Sequence, residues 1–130
     1  MSSIFTKIIN KEIPSFKVAE NEKFYAFLDI SPLAKGHTLV VPKVEEDYIF
    51  DLDDDILAEM MPFCKKVSRA IKAVIPCNRV GIAVIGLEVP HAHVHLVPIS
   101  GMGDLNFSNP KLELEVDEFQ SIATAIASKI

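Results

Sequence analysis

Pro90-His91-Ala92-His93-Val94-His95-Leu96-Val97-Pro98 sets three of the chain's four histidines at every second position, with apolar residues between them. In a β-strand, successive side chains point to opposite faces. As a strand, the stretch puts His91, His93 and His95 in one row, with neighbours about 6.6 Å apart by the strand rise. Ala92, Val94 and Leu96 then line the other face and pack into a core. At the helical period the same imidazoles scatter around the axis and form no compact cluster. The strand is the reading that gives the spacing a chemical sense, and it makes the fold a sheet.

A row of imidazoles can hold a metal, carry acid, base or nucleophile chemistry near neutral pH, or decorate a solvated face. Strict alternation among apolar neighbours argues against the solvated face. Zinc usually draws ligands from more than one element, often with a cysteine or carboxylate, and no further motif completes such a shell. The metal reading therefore stays open but incomplete.

His91-Ala92-His93-Val94-His95-Leu96-Val97 resembles the His-φ-His-φ-His-φ-φ signature (φ apolar) of the histidine triad superfamily of nucleotide hydrolases and transferases. Ile4-Phe5-Thr6-Lys7-Ile8-Ile9 with Glu12-Ile13-Pro14 resembles the family's opening. Phe27-Leu28-Asp29-Ile30-Ser31-Pro32 and His37-Thr38-Leu39-Val40-Val41-Pro42-Lys43 resemble its nucleotide-binding segment. The resemblance implies an α+β fold: an antiparallel sheet of about five strands, one long central helix and a C-terminal helix. It implies His93 as a nucleophile that becomes transiently nucleotidylated. His95 then contacts the phosphoryl oxygens or the leaving group, while His91 and His37 support the hydrogen-bond network. It implies Asp29 on the ribose hydroxyls and Ile4, Phe5, Ile8, Phe27, Leu28 and Ile30 around the nucleotide. The scheme needs no metal or cofactor. The expected substrate is a purine nucleotide, foremost an adenosine 5′-phosphoramidate or related AMP conjugate. Dinucleoside polyphosphates come second, and transfer to another acceptor uses the same intermediate. The resemblance also implies a homodimer joined through one continuous sheet.

The sequence departs from the family pattern in two places. Ser3 and Thr6 stand where many bacterial members carry the Cys-x-x-Cys half of a zinc site. Hydroxyls are poor zinc ligands, so no structural zinc is expected. After Gly86 the family often has a polar residue that serves the phosphate pocket; here Leu87 and Glu88 follow. An apolar side chain offers phosphate no hydrogen bond, and a carboxylate repels it. A nucleotide-binding module with weak turnover is the rival this departure motivates.

Bulk properties fit one small domain with a proper core. The 130 residues are one domain's worth of chain, expected to span 1–130, and 49% are hydrophobic. A net charge of −5 argues against a nucleic-acid partner. Lys65, Lys66, Arg69 and Lys72 fit a solvated helix face better than a basic patch. No leader or membrane span is evident, and Cys64 and Cys77 give no disulfide framework. The expectation is a cytoplasmic protein without membrane partners.

Periodicity supplies the remaining elements. A helical turn is expected over residues 3–10, and strands over 16–20, 24–29, 37–42 and 78–85. The third strand is near-continuous in apolar residues and so should be central. Ile56, Met60, Phe63, Val67, Ala70 and Val74 recur at helical spacing after an acidic start, with Pro62 a candidate kink or boundary. Ser100 to Pro110 reads as a flexible loop. A last helix begins near Asp117, with Phe119, Ile122, Ala123 and Ile126 on one face. The helices are expected on one side of the sheet.

Overall fold

A computed structural model describes residues 2–130. Along the chain run α1 (Ile4–Ile9), β1 (Lys17–Glu20), β2 (Phe24–Leu28), β3 (Thr38–Pro42), α2 (Asp54–Val74), β4 (Arg79–Ala83), β5 (Val94–Ile99) and α3 (Val116–Ala127). The five strands form one sheet in the order β1-β2-β3-β5-β4, and every neighbouring pair is antiparallel. The fold is α+β. β3 lies in the middle and is buried along its whole length, as its unbroken apolar run predicts.

The two faces of the sheet have different partners. Phe24, Ala26, Leu28, Val40, Val94 and Leu96 face α2 and α3, packing on Phe63, Val67, Ile71, Phe119, Ala123 and Ile126. Tyr25, Phe27, Leu39 and Val41 face the other way and take Phe5 and Ile8 of α1. Only the two long helices therefore share a side. α1 lies opposite because its apolar stripe meets the second face of β2 and β3.

α2 continues through Pro62, so of the kink or boundary considered there, the boundary does not occur. Pro62 and Ala58, the residue whose carbonyl loses its partner, are both exposed. The freed carbonyl thus lies on the solvated side, where solvent can hydrogen-bond it. Lys65, Lys66, Arg69 and Lys72 all lie on the exposed side of the same helix. Among the described residues no helix is long and apolar enough to cross a membrane.

Candidate active site

β5 pairs with β3 through Thr38↔Leu96, Leu39↔His95 and Val40↔Val94. That register puts His95 on the α1 face, beside Leu39. The strand starts at Val94, three residues later than the sequence suggests, so His91 and His93 lie in the segment leading into it. Pro42 has no N–H to extend the ladder, and the Ala92 N–H turns instead to the Glu46 carbonyl at 2.6 Å. The rings of His93 and His95 still meet, with centroids 5.0 Å apart. Phe5 of α1 stands edge-on to His93 at 5.0 Å and to His91 at 5.8 Å.

The main chain determines which nitrogen of each ring carries its proton. The Leu33 N–H can only donate, and it reaches His37 Nδ1 at 3.0 Å. The proton of neutral His37 is therefore on Nε2, which donates to His95 Nδ1 at 3.0 Å. His95 in turn carries its proton on Nε2. A carbonyl can only accept. The His91 carbonyl is 2.8 Å from His93 Nδ1, so that nitrogen bears the proton and His93 Nε2 keeps a lone pair. The Pro42 carbonyl likewise takes the Nε2–H of His91 at 2.8 Å, and the Ser3 hydroxyl donates to His91 Nδ1 at 2.7 Å. One lone pair, on His93, and one ring N–H, on His95, remain without a protein partner.

Burial reinforces this arrangement. It pushes His37 down to about 3, helped by the neighbouring His95, and His95 down to about 4, helped by His93. Burial also lowers His91, against the opposing pull of the Pro42 carbonyl and Glu45. Asp29 is raised by burial and lowered by the Ser31 N–H. Its Oδ1 accepts that N–H at 2.8 Å, closing the turn, while Oδ2 lies 3.5 Å from His37 Nε2.

A cleft of about 380 Å³ opens over these groups. His37, His93, His95 and Asp29 line it, together with Ile4, Phe5, Ile8, Phe27 and Ile30. Ile4 and Ile30 are respectively 50% and 71% exposed, apolar surface at the mouth that the folded core does not use. His91 is fully buried behind the cleft and supports it through His93.

The HIT domain family model matches residues 10–102. The chain belongs to the HIT domain family. An uncharacterized HIT-like protein of Borreliella burgdorferi is 39% identical over 98% of this chain and 97% of its own length. The adenosine 5′-monophosphoramidase of Schizosaccharomyces pombe is 35% identical over 100% of this chain and 99% of its own. Among solved structures, a Hit-like protein from Bartonella henselae superposes with a TM-score of 0.86 at 28% identity, covering 99% of this chain and 96% of the other.

Two expectations for this HIT domain change. Leu28 borders the cleft, but its side chain lies in the core against α2 and α3, because strand alternation turns it away from Phe27. Leu87 is absent from the cleft. It is 88% exposed and lines an apolar groove beside β4, so only Glu88 of that pair reaches the histidines' side. Sequence reasoning missed Phe107 and Lys111, which also line the cleft. Phe107 stands edge-on to His95 at 4.7 Å. Nothing in the polar 100–110 segment marks its one aromatic residue as a wall of the site.

The donor sets do not suit a metal. Asp29, His37 and His95 bring ligand atoms within 4.8 Å of one another. His37 cannot offer Nε2 as a lone pair while Nδ1 accepts the Leu33 N–H. At the other candidate centre, the Ser3 and Thr6 hydroxyls are poor zinc ligands and already serve His91 and Glu45.

The depressed histidines give stability a pH slope. Unfolded histidine takes a proton near pH 6.5, whereas the folded chain protonates His95 at about 4 and His37 at about 3. Between those limits the unfolded state binds more protons, so stability falls as pH falls. The thermal midpoint should drop steadily from pH 7 to pH 4.5, and His95→Asn should make that slope shallower. A midpoint that is flat over this range contradicts the buried neutral pair.

Proposed function

We propose that this chain is a nucleotide hydrolase that cleaves AMP conjugates of the adenosine 5′-phosphoramidate type through a covalent nucleotidyl-His93 intermediate. One observation carries the reading. Of all the ring nitrogens, one lone pair and one N–H are free, and they belong to neighbouring rings in one cleft. The name of the Schizosaccharomyces pombe relative supports the substrate class.

In this scheme the lone pair of His93 Nε2 bonds to phosphorus. The phosphorus–nitrogen bond to the leaving group breaks, and the leaving nitrogen keeps the electron pair and takes a proton from solvent. The His91 carbonyl, already bonded to His93 Nδ1–H, stabilises the charge that the ring acquires. His95 Nε2–H donates to a phosphoryl oxygen. The relay from Leu33 through His37 holds His95 neutral, so it acts as a hydrogen-bond donor rather than as a carrier of full positive charge. Water then attacks phosphorus, the bond to Nε2 breaks, the water's proton passes to solvent, and AMP leaves. Asp29 Oδ2 accepts from the ribose hydroxyls, and Ile4, Phe5, Ile8, Phe27 and Ile30 enclose the purine.

Purified protein given adenosine 5′-phosphoramidate should release AMP. His93→Ala should lose roughly 1,000-fold or more in kcat, the scale expected on removing a nucleophile. Acid-quenched wild type should show the mass of one added nucleotidyl group, and the variant should not. Undiminished turnover by His93→Ala contradicts the mechanism. Tight AMP binding with no turnover of any conjugate favours the rival binding module, for which Glu88 in the cleft is the motive.

The same reading includes a homodimer. β4 is one of the sheet's two edge strands, and Tyr48, Phe50, Met61, Ile82, Val84 and Leu87 leave an apolar groove beside it. A second copy of the chain, adding its own β4, covers both the edge and the groove. Light scattering should give a dimer mass, and Val84→Lys with Leu87→Asp should give a monomer. A monomeric wild type at tens of micromolar contradicts the assembly.

A further inference from the structure

His91 never reaches the cleft, yet an unusual number of groups converge on it. Its Nε2–H is held by the Pro42 carbonyl of β3 at 2.8 Å. On the other side, the Ser3 hydroxyl at the start of α1 donates to Nδ1 at 2.7 Å. Ser3 Oγ also accepts the Thr6 N–H at 3.0 Å, which caps α1. A single carboxylate oxygen, Glu45 Oε1, collects the Ser3 N–H at 2.6 Å and the Thr6 hydroxyl at 2.6 Å. The next residue, Glu46, takes the Ala92 N–H on its carbonyl. His91 is thus stapled between β3 and α1, with the residues around Glu45 gripping both sides of it.

The protons can be distributed over these atoms in only one consistent way. The Thr6 hydroxyl lies within 3.4 Å of His91 Nδ1 and within 3.2 Å of Ser3 Oγ, so it has other acceptors to choose from. Glu45 takes its proton, because a carboxylate is the strongest acceptor present. Ser3 is left as the sole donor to His91 Nδ1. That agrees with the tautomer the Pro42 carbonyl fixes, Nδ1 bare and Nε2 protonated. The ring so fixed holds residue 91, and the carbonyl of residue 91 is the group that orients His93.

We propose that Ser3, Thr6 and Glu45 are positioning residues: a hydroxyl–carboxylate clasp that holds the ring of His91 in place and thereby aims His93 Nε2 into the cleft. The proposal rests on His93 being the attacking group. The clasp acts through His91, so it governs the rate of the chemical step and leaves nucleotide binding largely alone. Its members lie outside the cleft lining, unlike the residues that would enclose the purine.

The test uses the full chain with ¹⁵N-labelled histidine at pH 7, without substrate, alongside kcat and KM for adenosine 5′-phosphoramidate. Wild-type His91 should show a protonated Nε2 and a bare Nδ1. Ser3→Ala and Glu45→Ala should leave Nε2 protonated but move the His91 Nδ1 resonance, as that nitrogen loses its held hydroxyl donor, and lower kcat roughly five- to tenfold, the scale of one lost hydrogen bond, with KM nearly unchanged. Glu45→Gln and Ser3→Thr should restore both readouts, because each keeps the acceptor or the hydroxyl. Glu45 is exposed, so its truncation leaves the core intact for the comparison. An unchanged His91 Nδ1 shift in both alanine variants overturns the clasp, as does an unchanged kcat. A wild-type chain with no turnover overturns the hydrolase reading instead, and the spectrum still decides the clasp.

Discussion

A main-chain N–H can only donate and a main-chain carbonyl can only accept, and the site depends on that asymmetry. Each histidine is tied to such a group directly or through one intermediary: His37 to the Leu33 N–H, His95 through His37, His93 to the His91 carbonyl, His91 to the Pro42 carbonyl. Side-chain partners alone would leave several proton arrangements close in energy. Backbone partners remove the choice, and the sheet holds those partners still. Four imidazoles, which in water interconvert between tautomers, thus become a directional array with one unpaired ring lone pair, on His93.

The rest of the fold makes that array affordable in free energy. His37 and His91 are almost wholly buried, where a charged ring is expensive and an unpaired polar atom costs roughly 1–3 kcal/mol. Among the described residues no buried side-chain nitrogen or oxygen lacks a partner. The strongly apolar α2/α3 face of the sheet supplies stability, leaving the α1 face free to be polar where β5 crosses β3. Phe5 stands edge-on to His91 and His93, and Phe107 to His95, so apolar rings flank the hydrogen bonds among them and strengthen those bonds. α1 is short, and it is anchored at its start by the same Ser3 that serves His91.

Much of this was legible in the sequence because periodicity reports faces. The alternation around His93 gave the shared side of His93 and His95, and the unbroken run from Thr38 to Val41 gave the central strand. Helical spacing from Ile56 to Val74 gave α2, although a local rule about Pro62 could not foresee that it would sit on the solvated side. What spacing does not encode is contact between distant segments. Glu45 meets Ser3 and Thr6 across about forty positions of chain, and a glutamate opening the acidic run Glu45-Glu46-Asp47 carries no signal of that. Phe107 folds onto His95 from a segment with no period at all. Leu87 follows the glycine that its family resemblance singles out, but the backbone there, with Gly86 at a φ of 76°, turns it towards the groove by β4 instead of the cleft.

The fixed direction of every imidazole is the claim on which the rest stands, and ¹⁵N chemical shifts of the four histidines at pH 7 measure it directly. His37, His91 and His95 should each show a protonated Nε2 with a bare Nδ1, and His93 alone should show the reverse. A protonated Nε2 on His93, or shifts averaged between the two tautomers at His37 or His95, would contradict the account.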